Sequence, residues 1–490
     1  MKRQHPAALI SYTSKNFWLL LIPLIRGLAA LRFDLKTWIS GAGWDILTVT
    51  VMVAAAVLRW YFTFYEFGES SVKARVGVIF RTSLEISYDK LCAVTAEENL
   101  FYQGLKLSRV YIDTDAASGG RRSADISLLI TRQERARLFN ILSERFRGVK
   151  SGMARSFSIS KTALILFSFL FSSALSGVAL LITLLSGGSD IIGDRLQADF
   201  MNAVNGLSDA VAALVGRIIA GISPAGIAIS IIIGTGFLLS FIKNVMRYLK
   251  FTARRHGSSI IISCGLAVRR MYCINAEKIN MADMRQNLLM KLFGITSIHV
   301  NCTGYGKRKN EIPVFVPVCT ARSGKPGSAK GLGGAMLLPE FSVCDSFIGP
   351  RPAYVWRFLW PAALLIFGIL GLGFAGLVYF PHWHELIAFL TVMSEIPAVW
   401  LLFVKACAYC TNGINITGDS VCARYCKGYG FHTVTVPLSR VAEIRITQTI
   451  FQRFNKSCDV HIYTCSEYIG CHSVKSIPIT EVQELIRERG

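Results

Sequence analysis

The chain repeats itself. Residues 99–114 read NLFYQGLKLSRVYIDT, residues 287–302 read NLLMKLFGITSIHVNC, and residues 449–464 read TIFQRFNKSCDVHIYT. Sliding the first stretch by about 188 positions and then by about 350 extends the match well upstream. There LRWYFTFYEFGESSVKARVG aligns with VMRYLKFTARRHGSSIIISCG, and the third copy reads CAYCTNGINITGDSVCARYCK. Arg59 then coincides with Arg247, Gly68 with Gly418, and Gly77 with Gly265. Whatever one copy folds into, the chain must accommodate three times.

Each copy reads first as β structure. Val110, Ile112 and Thr114 share one face of a strand, as do Ile298 and Val300, and Val460 and Ile462, because side chains alternate with a period of two. SVKARVGVIFRTSLEI reads as two strands joined at Gly77. The residues between paired strands, Leu100, Phe101, Leu105 and Leu107, are expected to sit beneath that link. A helix follows in copy one: Thr131 with Glu134 spells a capping box, and Ile130, Leu138, Phe139, Leu142 and Phe146 supply an apolar face. Copy three repeats the device with Thr480 and Gln483. Copy two departs from it: IPVFVPVCTARSGKPGSAKGLGGAMLLPEF is too rich in Gly and Pro for a continuous helix, so that domain must close differently or end in a loop.

Six apolar stretches, 17–33, 45–63, 162–185, 225–242, 358–380 and 385–404, approach the roughly 20 residues a membrane helix needs. They fall into three pairs, each followed by a long polar segment. Composition now sets the orientation. The chain has 53 Lys and Arg against 31 Asp and Glu. Lys2, Arg3, Lys15, Arg59, Lys243, Arg247, Arg351, Arg357 and Lys405 flank the polar side, while the loops within pairs carry few basic residues, which puts both termini and all three polar segments in the cytoplasm. Between the third and fourth spans, 196–222 has one apolar stripe, as an amphipathic helix on the outer face or one packed against other spans would.

This combination resembles the bacterial pleckstrin-homology-like (PH-like) domain of multi-pass membrane proteins of the YdbT type. The resemblance rests on the paired spans, on strand–QNLLMKLFG–strand in copy two, and on the opening RQHPAALISY…LLLIPLIRGL. It covers nearly the whole chain. It implies a multi-domain protein of the bacterial cytoplasmic (inner) membrane, with about six transmembrane helices in three pairs and three α+β PH-like domains, each a small β-barrel or sandwich with a C-terminal helix. The expected order is an N-terminal segment with the first pair (1–63), domain one (64–150), the second pair with its outer helix (160–243), domain two (244–345), the third pair (357–405) and domain three (406–490).

Signatures of catalysis are absent: there is no GxxxxGK[ST], GxSxG or HExxH, so the expectation is a protein that is not an enzyme and needs no cofactor. Cys407, Cys410, Cys422 and Cys426 have spacing that invites zinc, or are small reduced thiols; no metal site is assigned to them. His382, His384 and Glu385 could likewise hold a metal, or belong to an interfacial turn. Ser168, Ser172 and Ser176, with Gly226, Ser230 and Gly234, read as helix–helix contacts. Glu395 lies mid-span, with Arg26 as a possible partner, and an ionisable group there is a functional hypothesis by default. The strongest binding signal is cationic: Lys250, Arg254, Arg255, Arg269, Arg270, Lys307, Arg308 and Lys309 crowd domain two, as candidates for anionic phospholipid headgroups or as the plain consequence of topology. Nucleic acid is not the expected partner, since no recognition motif accompanies the charge. The reading is a non-enzymatic envelope scaffold or sensor that binds anionic lipid or segments of another membrane protein. The alternative is a transporter or lipid-moving protein that uses Glu395 and Arg26.

Overall fold

The computed structural model describes residues 1–13, 43–77, 80–114, 125–147, 154–173, 202, 206, 224–305, 314–320, 337–344, 346–465 and 470–487. Domain one starts with β1 (Lys2–Arg3) and α1 (Ala8–Thr13). After helix α2 (Gly43–Tyr61) come β2 (Phe64–Phe67), β3 (Ser71–Val76), β4 (Thr82–Ser87), β5 (Leu91–Glu98), the one-turn helix α3 (Leu100–Gly104), β6 (Leu107–Thr114), β7 (Ile126–Thr131) and α4 (Arg132–Arg147). Domain two repeats the order with β8 (Arg155–Ser158), α5 (Lys161–Phe171), α6 (Pro224–Tyr248), β9 (Thr252–His256), β10 (Ser259–Cys264), β11 (Arg269–Asn275), β12 (Ile279–Asn287), α7 (Leu288–Leu292), β13 (Ile295–Cys302) and β14 (Val314–Thr320). Domain three has α8 (Val355–Tyr379), α9 (His384–Thr411), β15 (Gly413–Thr417), β16 (Ser420–Lys427), β17 (Gly430–Pro437), β18 (Val441–Thr447), α10 (Ile450–Phe454), β19 (Ser457–Thr464), β20 (Cys471–Pro478) and α11 (Ile479–Arg487).

The repeat is closest at its turns. Asn99, Asn287 and Thr449 each cap a one-turn helix, accepting from the backbone N–H of Tyr102, Met290 and Gln452. Each turn leaves through a positive φ, at Lys106 (55°), Gly294 (63°) and Lys456 (49°). Gly77 and Gly265 also coincide in kind. Both have positive φ, and a Cβ would lie 1.9 Å from the Phe80 carbonyl oxygen and 2.1 Å from that of Val268. Only glycine fits there without strain.

The domains are not separate barrels. Strand β5 of domain one pairs antiparallel with β11 of domain two, giving one sheet in the order β7-β6-β5-β11-β10-β9-β8. Strand β12 of domain two pairs with β17 of domain three, giving β14-β13-β12-β17-β16-β15. Each shared sheet is covered on both faces. Cys92 and Ala93 of β5 pack into the core of domain two, while Cys273 of β11 packs into that of domain one. This is why LCAVTAEE is buried at nearly every position instead of alternating.

A second device recurs at the helices. The segment before each apolar stretch pairs with the strand after it: β1 with β2, β8 with β9, and Ile348 with Ile414. The chain before and the chain after each of these three apolar regions therefore meet in one sheet. Helices α8 and α9, and the 22-residue stretch Ile227–Tyr248 of α6, are long and apolar enough to cross a membrane. Thr50–Tyr61 and Lys161–Phe171 are apolar but shorter within the described residues. The stretch 17–33 lies outside the described residues, as does 196–222 apart from Asn202 and Gly206.

Helix α4 closes domain one as its sequence requires. Leu138, Phe139, Leu142 and Phe146 are buried beneath it, and Arg132 and Arg135 hold the buried Glu98. Its cap differs in detail: Thr131 accepts from the Glu134 N–H (3.3 Å), but the Glu134 carboxylate turns to Tyr65 and Lys2. The box expected at Thr480 is absent because α11 begins at Ile479; the full capping box is instead at Thr449–Gln452. Domain two closes with Leu337, Leu338 and Phe341, which enter its core; 321–336 lie outside the described residues.

Candidate headgroup site

The first turns of α8 and the last turns of α9 border an open cleft against β16 and β20 of domain three. Three cations line it: Arg357 from α8, Lys405 from α9 and Lys475 from β20. Phe358, Pro361 and Ala408 give it an apolar floor, and Asn412 and Tyr425 supply further polar atoms.

Arg357 is held in place. Its guanidinium pairs with Asp459 (2.8 Å) and reaches Ser476 Oγ (3.2 Å). Asp459 also accepts from the Ser476 N–H (2.9 Å) and from Gln452 Nε2 (2.8 Å), so one carboxylate ties α8, the α10 turn and β20 together. Ser476 reaches this position through φ 61°, just where β19 and β20 slip register. Lys405 and Lys475 have no carboxylate within ion-pair distance among the described residues. Burial pushes the neighbouring Cys426 thiol up, and the charges of Lys405 and Lys291 pull it back. Asn412 Nδ2 donates to the Lys475 carbonyl (2.7 Å), fixing the cleft's far wall. Two ammonium groups with no carboxylate partner among the described residues, beside an Asp459-paired guanidinium and an apolar floor, suit an anion with hydrocarbon attached.

Of the cationic residues singled out in domain two, two of the five described ones are held in ion pairs. Arg255 is committed to Glu340 (2.8 Å) and the Leu337 carbonyl, and Arg270 to Glu97 (3.0 Å) across the β5–β11 seam. Arg255 pairs with Ile260 of β10 and Arg270 with Cys264, which puts them roughly 13 Å apart along the sheet, at ~3.3 Å per residue. Lys250, Arg254 and Arg269 are exposed, Lys250 and Arg269 near the helix end and Arg254 in the middle of β9. Lys307, Arg308 and Lys309 lie outside the described residues.

Other candidates also scatter. Cys422 donates to the Ser342 carbonyl and faces Thr435, whereas Cys426 turns to Gly428. Among the described residues no three His, Cys, Asp or Glu side chains group as metal ligands, at the four cysteines or at His382, His384 and Glu385. Ser168 is buried between α5 and α6, with Ser172 joined to Asn244 (3.3 Å); by contrast nothing lies within 4 Å of a Cβ built on Gly234, and Ser230 is exposed. Ser176 is outside the described residues, as is Arg26. Glu395 is partly buried in α9, and its Oε1 has no hydrogen-bond partner among the described residues. Sequence reasoning used Arg357 and Lys405 only as topology markers and missed Lys475; the signal available was the basic residue ending each span.

A family model described as a bacterial PH domain matches residues 19–146, 208–323 and 363–489. No curated protein and no solved structure matches the chain. Three matches that together cover most of the sequence establish that this chain belongs to the bacterial PH domain family, as a three-repeat member.

Proposed function

We propose that this is a non-enzymatic, multi-pass protein of the bacterial cytoplasmic membrane, a scaffold or sensor whose three PH-like domains form one rigid row that binds anionic phospholipid headgroups. Six spans in three hairpins would place both termini and all three domains in the cytoplasm. The observation that supports this reading is the recurrent strand pairing: β1–β2, β8–β9 and Ile348–Ile414 bring the chain before and after each of the three apolar regions back to the same row of sheets. The cleft at Arg357, Lys405 and Lys475 is the best-formed headgroup site; Arg357 is charge-paired with Asp459, so Lys405 and Lys475 carry the attraction, about 1 kcal/mol each near an anionic leaflet.

Because neighbouring domains share sheets, the test uses the full chain. Native mass spectrometry of the detergent-solubilised protein with phosphatidylglycerol or phosphatidylcholine should show preferential retention of the anionic lipid, reduced several-fold by joint Lys405→Gln and Lys475→Gln. Equal retention of both lipids would end the headgroup reading. The transporter reading draws on Glu395 Oε1, which has no hydrogen-bond partner among the described residues.

A further inference from the structure

The one-turn helices carry their apolar side chains outward. Leu100, Phe101 and Leu105 are exposed, contrary to the expectation that they lie under the link; of that set only Leu107 is buried. The same holds in the other copies, where Leu292 is 78% exposed, Phe293 56%, Phe451 81% and Phe454 82%. What is buried is the middle residue of each turn, Tyr102, Met290 or Gln452. Folding has therefore fixed each turn by one inward side chain and left its large apolar residues in the open, three times over.

Each turn is fastened at the base of its own apolar helices. Tyr102 packs with Ala8, Tyr12 and Trp60, beside α1 and the end of α2. Met290 packs with Leu164, Phe167 and Leu170 of α5 and with Tyr248 of α6, and Asn287 Nδ2 donates to the Leu170 carbonyl (2.7 Å). The Tyr354 hydroxyl, immediately before α8, donates to the carbonyl of Asn455. Helix α8 has 25 residues, roughly 37 Å at ~1.5 Å each, against a hydrocarbon core of about 30 Å. Its first turn, and α10 beside it, thus fall at the boundary between headgroups and acyl chains. The exposed Trp356 and Trp360 sit where an interfacial aromatic belt belongs.

The turns also align with one another. Gln103 Nε2 donates to the carbonyls of Leu266 and Ala267 at the β10–β11 tip of the next domain, and Lys291 lies 4.5 Å over the Phe431 ring of the one after. Exposed Lys106, Arg453 and Lys456 flank the apolar residues. Apolar side chains edged with cations match an anionic bilayer interface better than a protein groove.

We infer that α3, α7 and α10 are lipid-inserting ridges, whose exposed apolar side chains enter the headgroup–acyl boundary of the leaflet facing the domains. They fix the height and tilt of the whole row. This rests on the membrane reading above but not on headgroup selectivity. To test it, p-benzoylphenylalanine is placed singly at Phe101, Phe293 and Phe451 in the full chain, reconstituted in nanodiscs. Matched controls are the equivalent exposed positions Asp89, Glu277 and Ser439 at the opposite end of the strands, and Phe374 on α8. After irradiation, lipid adducts at the three ridge sites should exceed those at the three distal sites at least tenfold, and should persist when phosphatidylcholine replaces phosphatidylglycerol. Adducts at Phe374 with distal-level yields at the ridges would overturn the ridges and leave the membrane reading standing. Loss of lipid adducts at Phe374 as well would sink both. Predominant protein adducts at the ridges in native membranes would assign them to a protein partner and overturn the proposal.

Discussion

Asp283 is the place to test whether the shared sheets hold the row together. It lies on β12 at the seam with β17, 1% exposed. Its carboxylate accepts from Arg285 Nε (2.6 Å) and meets His432 Nδ1 of the next domain (3.0 Å). The His432 ring stacks on Tyr425 at 5.1 Å, whose hydroxyl meets His472 Nδ1 (2.9 Å). Burial alone would raise the carboxyl; the His432 hydrogen bond, together with the nearby Arg285 charge, outweighs it and holds the group at about 2. The drop from 3.8 to about 2 is worth on the order of 2 kcal/mol at ~1.36 kcal/mol per pH unit. The folded carboxyl refuses a proton that the unfolded one takes up near 3.8. This stabilisation is therefore complete well above 3.8 and is lost as pH falls through about 2. Asp283→Asn should cost about 2–5 kcal/mol at pH 7, the upper end reflecting an uncompensated buried cation. Since Arg285 is 27% exposed and can turn to water, the lower end is expected. That corresponds to a melting midpoint lower by a few degrees, because the ~2–4 °C per kcal/mol of a 150–250-residue domain shrinks as the cooperative unit grows. The assay is thermal unfolding of the purified full chain in a nonionic maltoside, followed by intrinsic fluorescence at pH 7, 5 and 2. A change worth under about 1 kcal/mol at pH 7, or a difference that fails to shrink toward pH 2, would refute the reasoning.

Two further outcomes follow from the same physics. Burial holds the His299 imidazole at about 3 and that of His472 at about 4, so both stay neutral in the fold while the unfolded chain protonates near 6.5. Stability should then fall as pH drops below 6.5, by roughly 4 kcal/mol at pH 5 for the two together, and the paired His299→Gln and His472→Gln substitutions should flatten that slope in urea titrations; an unchanged slope would show the imidazoles are not its source. Glu395→Gln should leave abundance and any solute or lipid flux in proteoliposomes unchanged if the scaffold reading holds, whereas abolished flux would favour the transporter.

Much of one repeat was legible in the sequence. Period-two spacing at Val110 and Ile112, at Ile298 and Val300, and at Val460 and Ile462 marks strands whose inward residues are all buried. The apolar stripe of α4 and the lengths of α6, α8 and α9 follow from composition over one element. These are local properties, set by which side chains recur every two or 3.6 residues. The candidate site was less legible: Arg357 and Lys405 carried a topological signal, but nothing local joins them to Lys475, some 70 or more residues away in the chain.

Local pattern was enough to establish that three like units exist, that each is β-rich, and where the apolar helices lie. Packing in three dimensions was needed to show that β5 joins β11 and that β12 joins β17, that Arg255 and Arg270 are consumed by Glu340 and Glu97, and that Phe451 and Phe454 face outward while Gln452 is buried. An edge strand offers the same backbone N–H and C=O groups whatever its side chains, so no local pattern names its partner. Which face of a single helical turn is inward is likewise settled by what packs against it, not by the five residues that form it.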